Sequence, residues 1–105
     1  LNTIAQLNDS FRKSFIGGRV MLSHDVASLD AATRAMVLTA VATFDTFTDD
    51  NDPHHEHDFG AVTVKDETYF FKLDYYDVSM EFGSDDPANP KLTTRVMTIM
   101  HRSEY

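Results

Sequence analysis

The chain has 105 residues, of which 42% are hydrophobic and 11% aromatic, with a formal net charge of −8 and no cysteine. That composition indicates one globular domain over residues 1–105. It excludes disulfides, thiolate nucleophiles, Cys-ligated zinc and iron–sulfur clusters, and points to a reducing, cytoplasmic setting. Its nine Lys and Arg residues are scattered, which argues against direct nucleic-acid binding and adhesion to anionic membranes, and no apolar run approaches the ~18 residues of a membrane span.

Taken in order, Ile4, Leu7, Phe11 and Phe15 repeat at helical spacing, with Gln6, Asn8, Asp9, Arg12 and Lys13 filling the other side. Gly17-Gly18 is expected to stop this helix. Arg19 to Ser23 reads as a short strand, and His24-Asp25 as the start of a loop. Ser28 or Asp30 offers a cap for a second helix from about Leu29 to Phe47, whose apolar stripe is Met36, Val37, Ala40, Val41, Phe44 and Phe47. Beyond it the pattern changes to alternation. Ala61–Lys65 and Thr68–Tyr76 read as strands around a tight turn at Asp66-Glu67, and Asp77 opens a turn into a further strand, Val78–Phe82. A turn-rich loop from Gly83 to Pro90 leads to a last strand, Leu92 to about Arg102, whose Val96–Met100 section also suits a helix. The predicted fold is α+β, with two helices packed on one face of an antiparallel sheet of about four to five strands. Phe70, Lys72, Asp74 and Tyr76 would form the other face.

Asp49-Asp50-Asn51-Asp52-Pro53-His54-His55-Glu56-His57-Asp58 concentrates carboxylates and imidazoles between the helical and strand-rich parts. His55 and His57 would project to one side of an extended segment, and together with Asp58 they are the candidate metal donors. Glu56, His57 and Asp58 are the candidate acid/base groups, and nearby carboxylates favour protonated imidazoles. The spacing matches neither the His-Glu-x-x-His helix nor the calcium-loop pattern. No cofactor is expected, and a divalent metal is the one group these donors would admit. Asp74-Tyr75-Tyr76-Asp77 is a second cluster, readable as further metal or polarising groups or as a strand end opening into a turn. The chain has no glycine-rich phosphate loop and no nucleophile elbow.

Several short stretches together resemble a known family. They are Leu7-Asn8-Asp9 with Phe11-Arg12; Gly17-Gly18-Arg19-Val20; Phe44-Asp45 with Phe47; Asn51-Asp52-Pro53; Glu56-His57-Asp58-Phe59-Gly60; Phe71-Lys72 with Asp74 to Asp77; Gly83-Ser84 with Asp86-Pro87; and Thr94-Arg95-Val96 with Thr98-Ile99-Met100. The family they resemble is the small bacterial domain of unknown function 3768. The resemblance implies no activity. It implies a cytoplasmic bacterial protein carried on plasmids or other mobile elements, beside anti-restriction and conjugation genes.

The sequence therefore favours a non-enzymatic acidic module that binds a basic protein, through Asp49, Asp50, Asp52, Phe70, Asp74, Tyr76 and Asp77. The alternative is a metal-dependent hydrolase using His57 and Asp58 with Asp74 or Asp77. A third reading makes the central signature a purely structural corner between helix and sheet.

Overall fold

Residues 2–105 are described by a computed structural model. Helix α1 (Thr3–Ser14) begins at Asn2, whose side chain accepts the Ala5 N–H at 2.7 Å, and ends on Phe15 in the left-handed region. The stop thus comes just before the glycine pair. Gly17 takes φ +111°, and a Cβ on Gly18 would lie 2.6 Å from the Arg95 carbonyl, so the glycines let the chain turn tightly against the sheet. The fully buried side of α1 carries Ala5, Asn8, Phe11 and Arg12. The apolar stripe read from the sequence is only half right, since Ile4, Leu7 and Phe15 are half-buried while two polar residues go to the interior.

Strand β1 (Arg19–Leu22) is followed by a short helix, α2 (His24–Ala27), where a loop was expected. Ser23 caps it, accepting the Val26 N–H, and the turn places Val26 in the core. Helix α3 (Ala31–Thr43) is capped by Asp30 rather than Ser28, through the Thr33 N–H at 3.1 Å. It ends at Thr43, short of the predicted Phe47. Phe44 is extended, which frees Phe44 and Phe47 to pack edge-on against Phe71 at centroid distances of 5.4 and 6.5 Å.

Strands β2 (Phe59–Val64), β3 (Glu67–Tyr76) and β4 (Thr94–His101) complete a four-stranded sheet in the order β1-β4-β3-β2. The sheet is mixed rather than antiparallel, because β1 runs parallel to β4 while the other pairs are antiparallel. The C-terminal segment is a strand and leads into a 3-10 turn at Arg102–Glu104. The predicted strand at Val78–Phe82 does not form. Asp77 Oδ1 instead accepts from the Ser79 hydroxyl and the Glu81 N–H, Met80 takes a positive φ, and only a single bridge joins Tyr76 to Gly83.

Phe11 of α1, Val26 of α2, and Val37 and Val41 of α3 meet the inward residues Val62, Val64, Tyr69, Phe71, Leu73, Met97 and Ile99 in one core. Three helices, not two, therefore cover one face of the sheet. Each fully buried Val, Leu, Ile or Phe contributes roughly 1.5–3 kcal/mol. The long connection from Phe44 to Asp58 crosses the end of this core, and that crossing creates the site.

Candidate functional site: a charged corner between helix and sheet

The connection is knotted by its own polar side chains. Asn51 Oδ1 accepts the Thr48 N–H at 2.8 Å, Asn51 Nδ2 donates to the Thr46 carbonyl, and the Asp52 N–H donates to the Thr48 carbonyl. Asp52 then turns inward, where its Oδ1 accepts the N–H groups of Glu56 and His57, both at 3.1 Å. His55 and His57 both have φ +57°, so the segment is not extended and the two imidazoles do not share a side. The His55 side chain is 66% exposed, 3.9 Å from Asp49, whereas His57 is folded under the loop.

His57 sits between two carboxylates. Its Nδ1 is 2.9 and 3.0 Å from the Asp9 oxygens, and its Nε2 is 3.6 Å from Asp52 Oδ2. Both contacts are ion pairs when the imidazole carries its second proton. The ring stacks on Phe47 at 3.9 Å with an interplanar angle of 3°. Asp9 is shared with Arg12, whose Nη2 reaches Oδ1 at 2.9 Å. The Arg12 Nη1 donates to the carbonyls of Val41, Ala42 and Phe44 around the C-terminus of α3, where the Val41 carbonyl also accepts the Phe44 N–H. Its guanidinium lies over the rings of Phe47 and Phe71, and among the described residues its Nε has no hydrogen-bond partner. Arg12, Asp9, His57 and Asp52 thus form one row of alternating donors and acceptors, and the last carboxylate ends on backbone amides.

A second layer lies beside it. Asn8 donates to the Glu56 carbonyl at 2.9 Å and to the Tyr75 hydroxyl at 2.8 Å, and accepts from Arg95 Nε at 2.8 Å. Tyr75 donates to Glu56 Oε1 at 2.8 Å and lies under the Arg95 guanidinium, which also bonds the Pro87 carbonyl. Burial raises the Tyr75 phenol well above the tyrosine range, with Glu56 adding to the rise and Asn8 opposing it. Burial also lowers the Arg95 guanidinium, while Tyr75 and Glu56 act against that. The Asp58 carboxyl is raised, first by burial and then by Glu56, and the Asp58 carbonyl accepts the Leu73 N–H at 2.8 Å.

The candidate residues therefore part company. Glu56 and His57 belong to the corner, and Asp58 adjoins it. Asp52 is 3% exposed and has no place on a charged surface. Asp49 and Asp50 are exposed, as is Asp45. Asp74 points to the outer face of the sheet, opposite Phe71 and Tyr75, and binds Lys72 at 2.9 Å, while Asp77 caps its own turn. Phe70 packs against Phe59 and Tyr105 at 5.2 and 5.4 Å on that outer face, and Tyr76 lines a groove there. Among the described residues no three His, Asp or Glu side chains converge as metal ligands. In the corner the reason is geometric: the two nitrogens of His57 point to different carboxylates, so its ring bridges them and they cannot surround one ion. Asn8, Asp9, Arg12 and Arg95 are the participants the sequence did not reveal. All four lie in stretches that carry the family resemblance, and for the three on α1 a further signal is that the apolar stripe is narrow for a helix covering a core.

The family model described as protein of unknown function (DUF3768) matches residues 22–104. The chain belongs to that family. Comparison with curated proteins and with solved structures gave no match. The DUF3768 span includes the loop half of the corner, Asp52, Glu56 and His57, with Tyr75 and Arg95. Helix α1, which supplies Asn8, Asp9 and Arg12, precedes it.

Proposed function

We propose that this DUF3768 member is a non-enzymatic acidic interaction module of the bacterial cytoplasm, carried with mobile genetic elements. Its partner is a basic protein, of the kind that handles nucleic acid or host defence. The observation that supports this reading is the division of labour within one loop. The imidazole and carboxylates of Asp52, Glu56 and His57 are engaged inside the corner, while Asp45, Asp49 and Asp50 stand exposed on the outer half, with the Asp49 side chain 95% accessible. A locked loop that presents uncompensated carboxylates attracts a basic surface from a distance and sets its orientation. The exposed Asp85-Asp86 pair adds charge of the same sign.

The test is capture of basic proteins from bacterial lysate by the intact chain and by a triple variant, Asp45→Asn, Asp49→Asn and Asp50→Asn. The expected result is capture by the intact chain that weakens as salt rises and is lost in the variant, with the two proteins melting alike. Equal capture by both, or no salt-sensitive capture at all, overturns the reading.

A further inference from the structure

The outer face of the sheet holds an open groove of about 540 Å³ alongside β1. Its floor is apolar, formed by Met21, Val96, Tyr76 and Met80, with Arg19 at its mouth. Met21 is 53% exposed although it sits within a strand. β1 is also an end strand, with β4 on one side and no strand on the other among the described residues. The Ser23 N–H donates to the Ile99 carbonyl. By the alternation of a parallel pair, Met21 also faces β4, and Val20 and Leu22 direct their N–H and C=O groups to the open side. An unpaired edge beside an apolar groove is the arrangement that receives an extended segment as an added strand.

The charges placed next to this groove by a hydrogen bond or sequence adjacency are mostly negative. Glu104 accepts from Ser23, and Asp77 and Glu81 flank Met80 in the turn. Asp74 and Lys72 pair with one another, and Arg19 lines the groove as a cation.

We infer that β1 and this groove dock an extended segment of a basic protein, which adds a fifth strand beside Val20 and Leu22 and turns every second side chain to the outer face, apolar ones over Met21 and Lys or Arg towards the rim carboxylates. The inference rests on the acidic-module reading and names where and how the partner is held.

The probe is a capped heptapeptide, Lys-Thr-Val-Thr-Val-Thr-Lys, whose Lys and Val side chains share one face of an extended strand; it is titrated into the 15N-labelled intact chain and followed amide by amide. The expected shifts fall on Val20 to Ser23, Tyr76 and Met80. Two N-methylated forms of the peptide separate strand addition from simple charge attraction, one methylated on the Val amides and one on the Thr amides. One of them should bind at least tenfold more weakly than the parent and the other within threefold, because a strand's amides alternate in direction. Met21→Lys, at an exposed position, should weaken the parent peptide at least tenfold, and the triple Asp45, Asp49, Asp50 variant less than threefold. Equal binding of both methylated peptides overturns strand addition. Shifts confined to residues 45–51 overturn this docking site while leaving the acidic-module reading in place, and the capture experiment judges that reading separately. A concentration-dependent dimer of the free chain that already protects the Val20 and Leu22 amides also overturns the inference, because the edge would then belong to a second copy.

Discussion

Residues 45–51 and residues 52–58 are adjoining halves of one polar loop, with carboxylates in both, an amide side chain in the first and imidazoles in the second. The first half leaves Asp45, Asp49 and Asp50 in solvent, where each charge interacts weakly with its neighbours through water. The second half turns Asp52 and His57 inward against α1, where every charge meets an opposite charge or a backbone amide. Local sequence does not separate the two. The difference lies in what each half faces: the carboxylates of the first face solvent, while the second meets Asn8 and Asp9 through Glu56 and His57. Charge density along a chain is therefore a poor guide to where a protein presents charge. A buried carboxylate such as Asp52 acts on folding, whereas the role proposed for an exposed one such as Asp49 is encounter.

Removing the central cation should affect the inner half most. Arg12→Met leaves Asp9 without its guanidinium and uncaps the carbonyls of Val41, Ala42 and Phe44. Urea unfolding should show a loss of about 3–5 kcal/mol, the range for breaking one side of a buried pair. Arg12→Lys should recover little, because one ammonium cannot serve three carbonyls and a carboxylate at once. Next in size, His57→Gln should cost about 2–3 kcal/mol by leaving Asp9 and Asp52 facing one another across an unstacked Phe47. A milder result, within 0.5 kcal/mol, would mean that the corner does not depend on its imidazole.

Asp52 allows a graded comparison. Asp52→Ala strands the amides of Glu56 and His57 and should cost about 2–3 kcal/mol, whereas Asp52→Asn still accepts both and should cost about half that or less. Gly60→Ala probes the packing beneath, since a Cβ there would lie 2.4 Å from the Phe71 ring. A loss of about 1–3 kcal/mol in thermal unfolding is expected.

Stability should also depend on acid in a defined direction. Asp30 and Asp77 are held below the ordinary aspartate value of 3.8 by their hydrogen bonds to Thr33 and Ser79, and Glu104 below 4.5 by Ser23. Because the folded values are the lower ones, these groups add stability above the unfolded values and lose it as pH falls through the folded ones. The melting midpoint should drop below about pH 4. Asp58 has the opposite sign. Its raised value makes its contribution complete below 3.8 and lost as pH rises through the folded value, so Asp58→Asn should melt higher than the parent at neutral pH and not at pH 3. The smallest effect belongs to the outer half: the Asp45, Asp49, Asp50 triple variant should stay within about 0.5 kcal/mol of the parent while losing its basic partner.

Helix α3, the hairpin of β2 and β3 and the inward alternation of Tyr69, Phe71, Leu73 and Tyr75 were legible in the sequence, because a helical or two-residue period leaves a local pattern. The parallel pairing of β1 was not, because four residues carry no record of their partner, and neither was the failure of Val78–Phe82 to form a strand, where the Asp77 turn took the amides. Asn8 and Arg12 looked solvent-facing on the α1 wheel and turned out to be fully buried.

By itself the sequence determined the α+β class, the net negative charge and the presence of the best-patterned elements, all of which follow from composition and from contacts within a turn or a pleat. Only the tertiary structure decided which charges are buried. Arg12, Asp9, His57 and Asp52 come from two segments forty residues apart in the chain. The energy of a charge depends on the dielectric and the partners around it, and three-dimensional packing supplies both.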